Sequence, residues 1–307
     1  MSFLKLIRYQ NLILLALMQL VFRYGFLESQ SIPLALNDWQ FALLVFSTVC
    51  IAAGGYLINN IFDRGTDEIN KPQDVVIGKQ ISESMGCNIY IALNVVGVGI
   101  GFYLANAIHK SNFAAVFIII AATLYVYANG VKQTLLIGNI IIALLLSLSI
   151  LIIGIFDLLP MIVPENQANM GVIFGILIDY AVFAFIINFI REIVKDLEDV
   201  NGDYNQGMNT LPIVLGVART AKVVLGLSFI PLGLIIYYIN EHLFSNNLYY
   251  ASGYGFVFIL APLIYFTVKM FGAKNQKDFH HLSKVLKLVI FFGILSIAVI
   301  NFNIKYA

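Results

Sequence analysis

Two short segments of an otherwise apolar chain concentrate its acid. Asp63, Asp67, Glu68, Asp74 and Glu83 fall in one, and Glu192, Asp196, Glu198, Asp199 and Asp203 in the other, ten of the seventeen carboxylates. Asn59, Asp63 and Asp67 are spaced i, i+4, i+8, a spacing that drifts only about 40° per step on a helix, so the three side chains share one face. In REIVKDLEDVNGD, Asp199 and Asp203 repeat the i, i+4 spacing. Asn188, Glu192 and Lys195 lie on about the same face, with Asp196 roughly 60° from it. Carboxylates facing one another repel, and desolvated unpaired charge is costlier still. Something cationic must neutralise them. Oxygen donors with no His or Cys nearby suit a hard cation, and Mg2+ in particular binds through one or two carboxylates plus substrate phosphates. The expected metal ligands are Asp63, Asp67, Asp196, Asp199 and Asp203, with Asn59 and Asn188 in support; Asp63, Asp67, Asp199 and Asp203 form the expected catalytic core.

The interleaved bases Arg64, Lys71, Lys79, Arg191 and Lys195 are donors able to hold phosphate that metals do not fully neutralise. Acids, metals and bases beside a lipid-embedded cavity point to a diphosphate on a hydrophobic tail. Ionising an allylic diphosphate places negative charge on the leaving group, which Mg2+ stabilises as it develops. The resulting cation needs a dry pocket with aromatic faces. Tyr56, Tyr125, Tyr127, Tyr180, Phe183 and Phe185 are available for it.

The elements that must position these residues are membrane helices. Of 307 residues 60% are hydrophobic and only 11% charged, whereas soluble domains carry about 25% charged residues. Apolar stretches of the roughly 20 residues that cross a bilayer fall at 10–28, 41–62, 88–108, 112–129, 134–156, 171–194, 220–239, 249–271 and 284–303. The expected fold is all-α, a polytopic bundle of nine transmembrane helices forming one integral-membrane domain over 1–307. With the N-terminus inside, fifteen of eighteen Lys and Arg residues fall on the cytoplasmic side, as the positive-inside rule requires. Both acidic segments then cap the cytoplasmic ends of the second and sixth spans. Their placement four helices apart hints at an internal duplication. The expected location is the cell inner membrane, with the active site cytoplasmic. No small-residue cleavage site follows the first apolar stretch, so no removable signal is expected. A net charge of +1 carries no nucleic-acid signal, and Cys50 and Cys87 lack metal-ligand spacing.

Other readings compete. Acids at a membrane edge are ordinarily solvated caps, but two clusters on one side, each with an upstream Asn, weigh against that. A cation-coupled transporter places carboxylates near the midplane on broken helices, whereas these lie at helix ends. Membrane phosphotransferases acting on activated alcohols carry a consensus beginning with an Asp-Gly pair, a dipeptide this chain lacks.

These residues resemble the UbiA-type intramembrane prenyltransferases. An NxxxDxxxD motif matches Asn59, Asp63 and Asp67, followed by INKP at 69–72. A KDxxDxxGD motif matches Lys195, Asp196, Asp199, Gly202 and Asp203, followed by TLPIVLG at 210–216. LIRYQN at 6–11 is similar to the first-helix segment carrying Arg8 and Asn11, and YANGVKQTLLIGN at 127–139 to the segment carrying Tyr127, Lys132 and Asn139. The resemblance implies a nine-helix fold, Mg2+-dependent transfer from a polyprenyl diphosphate to a lipid-soluble or phosphate-bearing acceptor in the membrane, and a diphosphate contact from Lys132. Where many aromatic-acceptor members have Arg-Pro after INKP, this chain has Gln73-Asp74-Val75-Val76 and then Gly78-Lys79. Lys79 is expected to stand in for that arginine. REIVKDLEDVNGD looks closest to the branch that adds geranylgeranyl to geranylgeranylglyceryl phosphate, with Arg191 and Lys195 on the acceptor phosphate or the donor diphosphate. Prenylation of an aromatic ring such as hydroxybenzoate or dihydroxynaphthoate is the alternative.

Outside the motifs, Arg23 and Asp179 sit at similar depth in the membrane and are expected to form a buried structural pair or to meet headgroup water. His109, His242, His280 and His281 are assigned no catalysis. The lysine-rich stretch 269–287 reads as a surface attracted to anionic lipid, not as a substrate site.

Overall fold

The computed structural model describes residues 2–70, 72–73 and 75–306, without the side chains of Ser2, Thr66 and Asn70. Lys71 and Asp74 lie outside the described residues. Among those residues nine helices are long and apolar enough to cross a membrane. They are α1 (Tyr9–Gln30), α2 (Asp38–Phe62), α3 (Glu83–Ala107), α4 (Ser111–Asn129), α5 (Ile137–Met161), α6 (Gln167–Asn205), α7 (Val217–Phe244), α8 (Tyr249–Gly272) and α9 (Gln276–Tyr306). Each expected span is present. Two run well beyond the apolar stretch. α6 continues from its apolar part through Glu192 to Asn205, because its polar extension has no proline and the left-handed turn waits until Gly207 (φ 66°). α9 starts at Gln276 because Asp278 accepts the backbone N–H groups of Lys274 and Asn275 at 3.0 and 3.2 Å, while the Asn275 side chain accepts the N–H of Asp278 at 3.0 Å.

In lipid, helices associate through close packing and interhelical hydrogen bonds rather than through burial from water. α2 packs along α3, α5 along α6, and α9 against both α1 and α6. The α2–α3 contact is close because Gly97 has no side chain: a Cβ there would stand 2.6 Å from Ile51 Cγ1, and Ser47 Oγ donates to the Gly97 carbonyl at 2.6 Å. One apolar cluster gathers Phe22, Phe41, Phe117 and Phe156, another Leu263, Phe266, Phe279 and Leu286. α6 serves both, placing Leu177 in the first and Ile193 in the second.

Arg23 does form a buried ion pair, but its partner is Asp157 of α5, at 2.5 Å, not Asp179. Arg23 is 3% exposed and Asp157 fully buried, whereas Asp179 is exposed on α6. Equal depth does not make two helices neighbours; α1 packs on α5. The pair also pins the incoming strand of chain, since Arg23 donates to the Leu36 carbonyl at 2.7 Å and Asp157 accepts the Leu36 N–H at 3.1 Å.

Candidate active site

A cavity of about 790 Å³ opens where α2 and α6 carry their acids. α2 ends at Phe62, Asp63 turns the chain (φ −83°, ψ 0°), and a short helix, Arg64–Asn70, follows. The joint does not break helical bonding. The Asp63 N–H donates to the Asn59 carbonyl and the Asp67 N–H to the Asp63 carbonyl, both at 2.8 Å. Asn59, Asp63 and Asp67 therefore keep one face, and all three line the cavity. α6 supplies a second wall from an unbroken helix: Asp196, Asp199 and Asp203 line the same cavity. Asn139, at the start of α5, donates to Asp196 at 2.8 Å. Thr210 of the TLP segment donates to Asp203 at 3.5 Å.

Lys132 enters from the Val131–Gln133 turn between α4 and α5. Its ammonium rests on the Asp63 carboxylate and reaches Asn59 Oδ1 at 3.4 Å. The turn folds tightly onto α5 because residue 138 is glycine; a Cβ there would meet Lys132 Cα at 2.8 Å. Lys195 is taken up by Glu192, donating to both of its oxygens at 2.8 and 3.0 Å, and Arg191 approaches Glu192 at 3.7 Å. Arg8 precedes α1 in the left-handed region (φ 49°), a conformation that costs a non-glycine residue about 1–3 kcal/mol and clusters at functional sites. Its guanidinium lies 5.4 Å from the Tyr56 ring centroid. The crowding of protein around it disfavours its charge, but Tyr56, Glu192, Asp67 and Asp63 outweigh that and raise its pKa above the ordinary arginine value.

Away from the acids the wall becomes apolar, with Ile51, Phe117, Leu124, Leu146 and Ile152. At this end Thr48 donates to the fully buried Gln19 at 2.8 Å, and Gln19 donates to the Ser149 carbonyl at 3.3 Å. Thr48 of α2 and Asp63 just past its end both line the cavity, fifteen positions apart, so the cavity follows that helix for about 22 Å.

The donors fit a hard cation. Carboxylates and the Asn59 amide oxygen converge, and the Lys132 ammonium already rests on Asp63 and Asn59. Among the described residues no three His, Cys, Asp or Glu side chains form a ready-made metal cage. Mg2+ needs none, because it uses one or two carboxylates and leaves its other positions to substrate phosphate and water.

Of the residues singled out by motif or spacing, Arg8, Asn11, Asn59, Asp63, Asp67 and Tyr127 line the cavity. So do Lys132, Arg191, Lys195, Asp196, Asp199 and Asp203. Asn139 stands behind Asp196. Three lie elsewhere. Arg64 pairs with Glu68 at 3.1 Å and packs its guanidinium over Gly78, and Lys79 donates to the Pro72 carbonyl at 2.9 Å; both are exposed. Asn188 donates to the Ala184 carbonyl of its own helix at 2.8 Å. Of the six aromatic candidates Tyr56 and Tyr127 line the cavity. Tyr180 instead bonds Ser296 at 2.8 Å, and Phe185 stacks on Phe189.

Sequence reasoning passed over Lys287, His280 and Phe117, all of which line the cavity. His280 Nδ1 lies 2.9 Å from Glu198. Lys287 donates to Asn11 Oδ1 at 2.7 Å, and Asn11 donates to the Tyr56 hydroxyl at 3.2 Å. A signal for Lys287 existed: unlike Lys274 and Lys277 it is set inside the apolar run VLKLVIFFG, and an ionisable residue there is a functional candidate.

Known proteins resemble this chain in sequence and in fold. The model of the UbiA prenyltransferase family matches residues 19–299. The digeranylgeranylglyceryl phosphate synthase of Saccharolobus solfataricus is 33% identical over 238 residues, 75% of each chain. The enzyme of the same name from Sulfolobus acidocaldarius is 30% identical over 234 residues, 74% of each. A solved digeranylgeranylglyceryl phosphate synthase structure superposes with a TM-score of 0.66 at 22% identity, covering 98% of this chain and 97% of that one. A UbiA homologue from Archaeoglobus fulgidus, solved bound to DMAPP and Mg2+, gives 0.63 at 18% identity, covering 97% and 99%. A nine-helix bundle with two acid-bearing helix ends facing one cavity, and a family match over most of its length, make this chain a member of the UbiA prenyltransferase family.

Proposed function

We propose that this protein transfers a prenyl group, geranylgeranyl by length, from its diphosphate to the free hydroxyl of a glyceryl phosphate lipid, with Mg2+ as cofactor. The observation that carries the reading is the meeting of two acid walls and Lys132 at one end of a cavity that runs about 22 Å (about fifteen helical residues) to an apolar far end. A twenty-carbon isoprenoid matches that span, and the acceptor follows the names of the relatives. Asp63, Asp67, Asp196, Asp199 and Asp203 would hold the metal, with Asn139 and Thr210 orienting Asp196 and Asp203. Bound Mg2+ supplies electrostatic stabilisation of the departing diphosphate. Lys132 donates to that diphosphate as the allylic C–O bond breaks and the bonding pair leaves with oxygen. The apolar wall keeps water from the allylic carbon while the acceptor oxygen forms the new C–O bond and its proton passes to the departed diphosphate. Tyr56, Tyr127 and Phe117 offer ring faces to the cation.

The Lys and Arg distribution supports a multi-pass protein of the cell inner membrane with N-terminus and cavity mouth cytoplasmic, and the balanced charge supports no nucleic-acid partner. The test incubates purified protein, Mg2+ and labelled geranylgeranyl diphosphate with geranylgeranylglyceryl phosphate or hydroxybenzoate, in detergent and without any ion gradient. Transfer to the phosphate lipid is expected. Transfer only to the aromatic acid, or no consumption of the diphosphate, refutes the reading.

A further inference from the structure

Six carboxylates and six lysine or arginine side chains are among the described residues that line the cavity. Their arrangement is uneven. Lys132 rests on Asp63 and Lys195 on Glu192. Arg8, Arg191 and Lys287 instead gather on the side built by the start of α1, by α6 and by α9. Arg191 and Arg8 are near enough to act on Lys287 by charge repulsion. Their direct contacts are with neutral groups: Lys287 on the Asn11 amide oxygen, Arg191 on the Ser283 carbonyl at 3.4 Å, Arg8 against the Tyr56 ring, with Glu192, Asp67 and Asp63 acting on Arg8 from farther off. Among the described residues the group's ion pair is the 3.7 Å approach of Arg191 to Glu192, whose oxygens already serve Lys195. Like charges crowded in a partly enclosed site are costly without a counter-ion. Along α6 Arg191 stands five, eight and twelve residues before Asp196, Asp199 and Asp203, about 8 to 18 Å, so on that helix the cation precedes the metal-holding acids.

We propose that Arg8, Arg191 and Lys287, with Asn11 as scaffold, form a metal-independent site for a phosphate monoester, the headgroup of the acceptor lipid. The inference rests on the function proposed above and divides its cavity in two. A diphosphate needs the acids, through metal; a phosphate monoester needs cations directly. Two arginines supply planar forks for its oxygens and Lys287 a point charge. Lipids that carry the glyceryl hydroxyl without the phosphate then lack their anchor.

The test uses the purified full chain in nanodiscs with EDTA present. Three probes are titrated: geranylgeranylglyceryl phosphate, the same lipid without phosphate, and inorganic phosphate as a competitor. Wild type is expected to bind the phosphate lipid at least tenfold more tightly than its unphosphorylated analogue, with inorganic phosphate displacing it only weakly. Lys287→Met is expected to weaken the phosphate lipid by about 10- to 100-fold, the effect of one charged hydrogen bond, and to leave the analogue unchanged. Lys287→Arg restores most of the affinity, which guards against a folding defect. In turnover with Mg2+, Lys287→Met raises KM for the acceptor and leaves KM for the donor within about twofold. Equal affinity of wild type for the two lipids, or a phosphate preference undiminished in Lys287→Met, overturns the site. If wild type binds the phosphate lipid as expected but never prenylates it, the function fails while the site stands.

Discussion

The ammonium of Lys132 rests on the carboxylate of Asp63, sixty-nine residues away in sequence, and shares it with the Asn59 amide. A lysine thus holds a position where a metal and a leaving diphosphate must also find charge. Lys132→Met is expected to lower kcat by about 100-fold, the scale of one lost donor to developing negative charge. The same substitution removes a competing cation, so Mg2+ binding to the substrate-free protein is expected to tighten. Calorimetry with Mg2+ alone reads the second effect, and weaker binding there contradicts the placement of Lys132.

Asp63→Asn and Asp199→Asn, one from each wall, are expected to reduce transfer by 100- to 1,000-fold while membrane insertion and melting in detergent stay near wild type. Removing divalent ions with EDTA should do the same to wild type, reversibly on adding Mg2+. Purified single variants that retain activity exclude these carboxylates as metal ligands.

Gly138→Val tests the support of Lys132. Its side chain would collide with the Val131–Gln133 turn, and a displacement of about 1 Å in a catalytic group costs on the order of 100-fold in rate. A variant with unchanged kcat shows that the turn can shift without moving Lys132.

Arg23→Met leaves Asp157 buried and unpaired and should cost about 3–5 kcal/mol of stability. The double variant Arg23→Met/Asp157→Asn is expected to regain most of that, and Asp179→Asn to change stability by no more than about 0.5 kcal/mol. Unfolding midpoints in mixed micelles provide the comparison; a large loss in the Asp179 variant contradicts the pairing.

Gln19 stands behind Thr48 and Ser149, which line the apolar end of the cavity. Shortening it in Gln19→Ala is expected to admit donors one isoprene unit longer than geranylgeranyl diphosphate. Competition between the two diphosphates measures the change; an unaltered ratio means that the tail does not reach this layer.

Much of this was legible in the residues, for definable reasons. Hydropathy located every span because the bilayer demands long apolar runs. The i, i+4, i+8 spacing placed Asn59, Asp63 and Asp67 on one face because helical bonding continues across the joint. What periodicity could not show was which distant faces meet. Arg64 and Lys79 belong to the same segment as the acids, yet the tight loop at Gly78 (φ 82°) draws Arg64 outward. Asn188 satisfies itself on its own helix, a local option that asparagine always has. Lys287 was absorbed into a lysine-rich stretch because a linear scan cannot tell the one lysine that bonds Asn11 of α1 from Lys274, Lys277 and Lys284, which are exposed. Asp157 was unrecognisable as Arg23's partner until α1 and α5 were seen side by side.

The two acid walls are built differently, and this has a mechanical consequence. Asp196, Asp199 and Asp203 ride on a single 39-residue rod that is anchored in both apolar clusters. Asp63 sits at a joint whose helical bonds persist on either side, ahead of a seven-residue helix that ends in a loop. Charge that enters the cavity meets one wall set by a continuous rod and another set by a joint. The Arg64–Asn70 helix that carries Asp67 packs on α6 itself, so the spacing between the two sets of carboxylates is held by that contact as well as by the bundle.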